Sequence, residues 1–147
     1  MILSGADVRQ YINHGGLSFS PELEDDQFQQ NGIDLVLEAV KSGGGCHGLF
    51  ALGCTREVVT MPNDLMAFVQ LRSTWARRGF SLPPTVIDAG FSGQITLEII
   101  SYVEAHEVPV GQRFAHLIFA KLCSPSEPYA GKYQGQTGIT YARPEKL

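Results

Sequence analysis

The 147-residue chain is poor in most of the features that advertise a function. Its three cysteines, Cys46, Cys54 and Cys123, are odd in number and form no CxxC pair. That usage fits a reducing cytoplasm better than a disulfide framework, although Cys46 and Cys54 are near enough for a bridge across a hairpin. No apolar run approaches the roughly 20 residues that span a bilayer, so no membrane association is expected. The N-terminus has no basic stretch leading into an apolar one, so no signal peptide is expected. A basic excess is missing too. The net charge is −4, which argues against a general nucleic-acid surface. Ser42-Gly43-Gly44-Gly45 lacks the GK[ST] ending of a phosphate loop and reads as a hairpin tip. There is no HxE element paired with a PCxxC element, and His106-Glu107 has the wrong spacing. A catalytic zinc site of that design therefore has no ligands. No repeat, heptad pattern or linker divides the chain, which predicts one domain over 1–147.

What remains is ordinary globular material, 44% hydrophobic and 18% charged, enough to bury a core without staples. Residues 4–13 predict a short helix, capped by Ser4, with Val8 and Ile12 on one face and Gly15-Gly16 as its stop. Short β-branched runs follow, broken by turn residues. They predict strands near Leu17–Phe19, Ile33–Val40, His47–Ala51, Arg56–Thr60, Leu65–Leu71, Ile95–Tyr102 and Phe114–Leu122. Ser73–Arg78 is long enough for one helical turn. Such spacing predicts a β-sandwich or closed β-structure with little helix. From Pro125 onward the chain is rich in Gly, Tyr, Gln and Lys, which predicts an extended, mobile arm, 125–147, with little core of its own.

Several residues stand out chemically, each beside a plainer reading. Arg72, Ser73, Thr74 and Arg77 belong to a segment with three arginines in seven residues, and such donors suit phosphate oxygens. Charge runs are usually solvated faces, however, and pattern alone favours that. Asp88 follows Val86-Ile87 and precedes Ala89-Gly90, where it can cap a turn. Phe91 is a candidate core aromatic. Strand alternation sets Ile95, Leu97 and Ile99 on one face and Thr96, Glu98 and Ile100 on the other. Glu98 thus lies either on a half-solvated face or in a desolvated site that raises its pKa. Tyr129, Lys132 and Gln136 lie in the tail, where polar residues commonly just meet solvent.

Four segments change this balance by occurring together and in order. They are Asn31-Gly32-Ile33-Asp34-Leu35, Arg72 to Gly79, Ile87 to Gly93, and Gly111 to Leu117. With them the chain resembles the superfamily of dUTPases and dCTP deaminases. Met1-Ile2-Leu3-Ser4 and the tail Lys132 to Gly138 resemble the deaminase branch. The resemblance covers nearly the whole chain. It implies a distorted jelly roll and a homotrimer whose active sites are shared between subunits. It also implies deamination of dCTP to dUTP and ammonia, with magnesium on the triphosphate.

The resemblance assigns roles residue by residue. Glu98 is the proton-shuttling carboxylate, and Ser73 with Arg77 orients it and the water. Arg72, Ser73, Thr74, Lys132 and Gln136 attend the phosphates, and Tyr129 belongs to the arm that folds over them. Asp88 meets the 3′-hydroxyl, and Phe91 lies against the sugar where a 2′-hydroxyl would be. His116 stands where relatives often have Gln or a small residue, and it suits a strand or subunit contact better than a metal. Two features depart from the deaminase pattern. Phe80–Ile87 is about two residues short in a segment that normally recognises the base, and the arm is short between Tyr129 and Lys132. Hydrolysis of dUTP to dUMP and pyrophosphate, with Asp88 orienting the water, is the alternative, as is an enzyme doing both. A catalytically silent nucleotide-binding relative is a third reading, opposed by the intact Ser73, Arg77, Asp88 and Glu98.

Overall fold

A computed structural model describes residues 1–42, 50–102 and 108–145. The Gly43–Gly45 tip, Cys46 and the His106-Glu107 pair lie outside the described residues. The architecture is mainly β, a curled antiparallel sheet that forms a distorted jelly roll. Its strands are β1 (Ser18–Ser20), β2 (Phe28–Gln29), β3 (Gly32–Ser42), β4 (Phe50–Thr60), β5 (Leu65–Leu71), β6 (Phe80–Ser81), β7 (Thr85–Ile87), β8 (Ser92–Ser101) and β9 (Arg113–Lys121). The order across the sheet is β6-β8-β4-β3-β9-β5-β7, with β1 on β4 and β2 on β3.

Helix α1 (Gly5–Asn13) forms where its cap predicts. The Asp7 N–H donates to Ser4 Oγ, while Asp7 Oδ2 accepts from the Ser4 N–H at 2.8 Å, a capping box. Val8 is buried under it, and Gly15 leaves the helix at φ +75°. The second helix, α2, is one turn, Ser73–Ala76.

The strands follow side-chain alternation. Along β8, Ile95, Leu97 and Ile99 are buried while Thr96, Glu98 and Ile100 are half-buried. Central β3 is buried continuously from Gly32 to Leu37, the mark of a strand covered on both faces. Phe114, Leu117 and Phe119 of β9 complete the core with Leu35, Leu37, Leu65 and Leu97.

The structure corrects the sequence expectation at β4. The sequence predicts two strands near 47–51 and 56–60, with 52–55 left between them. Instead Phe50–Thr60 is one strand with a register shift between Cys54 and Val58. Gly53 is glycine because of packing: a Cβ there would lie 2.8 Å from Leu37 Cδ1 and 3.0 Å from Ile99 Cδ1. The irregularity is satisfied by side chains. Thr55 Oγ1 donates to the Glu57 carbonyl and accepts from the Ile95 N–H, and Gln94 Nε2 donates to the Thr55 carbonyl. Glu57 itself is 2% exposed. Its carboxylate accepts from Gln27 Nε2 at 2.8 Å and from the Val36 N–H at 3.1 Å, where β3 shifts register against β9.

Candidate active site

Arg72 follows β5 and is the N-cap of α2, with its N–H donating to the Phe114 carbonyl. Trp75, buried against Phe80 and Phe114, fixes this turn by donating its indole N–H to the Arg113 carbonyl at 2.8 Å. Arg77 Nη1 donates to Ser73 Oγ at 3.0 Å, so the hydroxyl and the guanidinium are already coupled. Arg72 Nε lies 2.8 Å from Asp34 Oδ2. Asp34 is 2% exposed, and its other oxygen lies 2.8 Å from His116 Nδ1. Arg113 Nη1 stands 3.8 Å from the same carboxylate. Asp34 Oδ2 makes no well-aligned hydrogen bond, so its contact with Arg72 is an ion pair rather than a directed N–H bond. Around this group Arg72, Ser73, Thr74, Asp34 and His116 line a polar pocket of about 310 Å³.

A second cavity, about 630 Å³ and mostly apolar, lies elsewhere in the chain. Glu98, Asp88, Phe91, Tyr129 and Gln136 line it, with Leu52 among its apolar walls. Glu98 sits opposite Leu52 in the β8–β4 ladder. Burial pushes its carboxyl above the usual glutamate range, partly offset by a backbone N–H. Asp88 is exposed at the end of β7, and its carbonyl accepts from the Phe91 N–H across the turn. That turn needs Gly90: φ is +77°, and a Cβ would lie 2.5 Å from Pro128 Cα. Phe91 is 7% exposed, its ring 5.9 Å from that of Tyr129.

The C-terminal segment is docked against this cavity by polar bonds rather than aliphatic anchors. The Tyr129 N–H donates to the Ala89 carbonyl, the Gly135 N–H to the Ser92 carbonyl, and the Gln94 N–H to the Gln136 carbonyl. Gln136 Nε2 returns a bond to the Gln94 carbonyl at 2.8 Å. Lys132 lies outside both pockets; its ammonium donates to the Arg143 carbonyl and pairs with Glu145.

Within one chain, then, the expected residues fall into two groups. Arg72, Ser73 and Thr74 share the polar pocket, with Arg77 bonded to Ser73. Glu98, Asp88, Phe91, Tyr129 and Gln136 share the apolar cavity. The two pockets have no lining residue in common. Sequence reading had assigned no role to Asp34. The signal was present: an aspartate between Ile33 and Leu35 in a buried strand needs a cationic partner.

A family model described as dCTP deaminase-like matches residues 47–122. The chain is 41% identical to a dCTP deaminase of Desulfurococcus amylolyticus, covering all of this chain and 96% of that protein. It is 40% identical to a probable deoxyuridine 5′-triphosphate nucleotidohydrolase of Sulfolobus islandicus rod-shaped virus 1, covering 97% and 99%. The fold resembles the crystal structure of 2′-deoxycytidine 5′-triphosphate deaminase from Agrobacterium tumefaciens, with TM-score 0.65 and 19% identity. That match covers 82% of this chain but only 47% of the Agrobacterium chain. It also resembles the EIAV dUTPase, with TM-score 0.54 and 20% identity, over 80% of this chain and 98% of that one. The chain belongs to the dCTP deaminase-like family.

Proposed function

We propose that the chain deaminates dCTP: dCTP and water give dUTP and ammonia, without zinc, and with Glu98 as general acid and base. One observation carries this reading. Glu98 is a carboxyl set in a mostly apolar cavity beside Asp88 and Phe91, and burial raises its pKa. A group that must take and return protons near neutral pH needs such a shift. Water attacks C4 of the cytosine ring as its proton passes to Glu98, which delivers it to N3. A second transfer through Glu98 releases the amino group as ammonia and leaves the C4 carbonyl. Ser73 and Arg77, already bonded to each other, orient the water and stabilise the developing charge. Asp88 takes the 3′-hydroxyl, and Phe91 fills the space a 2′-hydroxyl would need.

Ser73 and Glu98 serve one reaction only if the polar pocket of one subunit faces the apolar cavity of another. The separation of the two pockets in the monomer therefore supports a homotrimer with shared sites. Exposed Phe68 on β5 and Val86 on the edge strand β7 are the kind of surface such an assembly covers. Arg72, Ser73 and Thr74 bind the phosphates, and the arm closes over them with Tyr129, Lys132 and Gln136. Magnesium travels with the triphosphate, where it neutralises adjacent phosphate oxygens. A cytoplasmic setting fits the odd number of cysteines without a CxxC pair.

Glu98→Gln keeps the shape and removes the shuttle, so ammonia release should fall by about 10²–10⁴-fold while nucleotide still binds. Unchanged ammonia release would end the proposal. Mixed trimers of Ser73→Ala and Glu98→Gln chains should recover activity that neither variant has alone.

A second reading is hydrolysis of dUTP to dUMP and pyrophosphate, alone or in addition. Its support is the compact base-side segment, where Leu82-Pro83-Pro84 is all that separates β6 from β7. Alignment with the viral nucleotidohydrolase also takes 157 positions, against 177 for the Desulfurococcus deaminase, so fewer insertions separate it from this chain.

A further inference from the structure

We propose that Gln94 is a positioning residue for the nucleotide site: its side-chain amide holds the Gly138 N–H and thereby sets Gln136, Thr140, Tyr141 and Ala142 against the cavity that contains Glu98. The inference rests on the reading that this cavity and the arm take the nucleotide.

Gln94, Thr96 and Glu98 occupy alternate positions of β8 and share its half-buried face. Strand β6 pairs with β8 only at Ile100 and Ser101, near the far end. The arm takes the stretch nearer Ser92. There the Gly135 N–H donates to the Ser92 carbonyl, and the Gln94 N–H donates to the Gln136 carbonyl at 3.0 Å. Gln136 Nε2 donates back to the Gln94 carbonyl at 2.8 Å. Gly93 permits this close approach, since a Cβ there would lie 2.8 Å from the Gln136 carbonyl oxygen.

The Gln94 side chain adds a bond that the sheet itself orients. Where β4 shifts register between Cys54 and Val58, the Thr55 carbonyl accepts from Gln94 Nε2 at 2.9 Å. A carbonyl has no proton to give, so the amide must turn its NH₂ to Thr55 and its oxygen the other way. That oxygen accepts from the Gly138 N–H. Two residues on, Thr96 Oγ1 accepts from the Thr140 N–H at 3.1 Å. Among the described residues, these two side chains make the hydrogen bonds that tie residues 137–145 to the strands. The Lys132, Arg143 and Glu145 contacts join the arm only to itself. Thr140, Tyr141 and Ala142 wall the cavity alongside Glu98. A segment held by so few bonds opens at small cost, so the loss of one has a visible effect.

The test compares Gln94→Met, which removes both side-chain bonds, with Gln94→Lys, whose ammonium still donates to Thr55 but offers Gly138 no acceptor. Hydrogen–deuterium exchange of the nucleotide-free protein is read by mass spectrometry over peptides spanning 135–142 and 94–101. Both variants should exchange about three- to tenfold faster over the arm, the factor one neutral hydrogen bond supplies, while Gln94→Lys keeps the wild-type rate over β8. In steady-state turnover of dCTP, Gln94→Met should raise KM by a similar factor and leave kcat within about twofold, because the arm binds nucleotide while Glu98 stays in place. Thermal melts check that each variant folds, and Gln94→Lys carries the exchange test if Gln94→Met does not. Arm exchange at the wild-type rate in Gln94→Lys would mean that Gln94 serves only the β4 irregularity and would overturn the proposal. A loosened arm with unchanged KM would overturn it too. If the wild type releases no ammonia from dCTP, the deaminase reading is what has failed, and the exchange comparison still decides whether Gln94 holds the arm.

Discussion

Asp34→Asn tests whether the polar pocket is organised as described. The native carboxylate is buried and touches Arg72 Nε and His116 Nδ1, each at 2.8 Å, with Arg113 Nη1 at 3.8 Å. Asparagine preserves the shape but has one oxygen for donors on both sides and turns an N–H₂ toward one of them. Removing one partner of a fully buried pair costs about 3–5 kcal/mol. Here the Arg72 and Arg113 side chains are 28% and 31% exposed, so the freed cations keep water contact. That lowers the expected loss to ~2 kcal/mol. For a chain of this length it corresponds to a fall in Tm of about 4–8 °C. Urea unfolding should show a lower midpoint with an unchanged slope, since no additional surface is exposed. The substitution should also weaken nucleotide binding by about tenfold, because Arg72 loses the ion pair that holds its guanidinium in the pocket wall. A variant within ~0.5 kcal/mol of wild type with unchanged affinity would mean that the carboxylate anchors nothing.

Glu57 links stability to pH. Burial raises its carboxyl above the ordinary value of 4.5, with the Gln27 and Val36 bonds pulling the other way. A carboxyl whose folded pKa is raised stabilises most below the unfolded value and loses that contribution as pH rises through the folded one. Urea titrations should therefore show wild type gaining on Glu57→Gln as pH falls from neutrality toward 4.5; a pH-independent difference would refute the sign. Truncation after Pro128 removes the bonds to Ala89, Ser92 and Gln94 but no strand, so circular dichroism should keep its β signature while turnover at limiting substrate drops sharply. Full activity in the truncated chain would leave the arm without a catalytic part. Gly53→Ala should cost about 1–3 kcal/mol by thermal denaturation, because its Cβ meets Leu37 and Ile99 in a packed core.

Strand β8 is readable in the sequence because its burial alternates cleanly. Ile95, Leu97 and Ile99 against Thr96, Glu98 and Ile100 are resolved by period alone, and so is the placement of Glu98 away from the core face. Helix α1 was legible through Ser4 and the Gly15 stop. At β4 the local signal misled: glycine and a register shift look like a turn when the partner strands are unknown. Strands β6 and β7, two and three residues long, lie at the ends of the sheet and form through pairing with β8 and β5. Neither carries enough residues to show a period of its own. The Asp34–His116 contact joins residues 82 apart, so spacing carries no trace of it. The motifs named Arg72, Ser73, Thr74, Arg77, Asp88 and Phe91 as candidates, but only coordinates show that the candidates gather at two pockets of one chain.

The central claim is that this chain removes the amino group of dCTP, and product analysis tests it most directly. Purified protein is incubated separately with dCTP and with dUTP in the presence of magnesium, and ammonia, dUTP, dUMP and pyrophosphate are resolved over time. The account predicts ammonia released from dCTP in step with total uracil nucleotide, and loss of that ammonia in Glu98→Gln. Pyrophosphate from dUTP, with no ammonia from dCTP and no effect of Glu98→Gln on either, would contradict it and leave the hydrolase reading in its place.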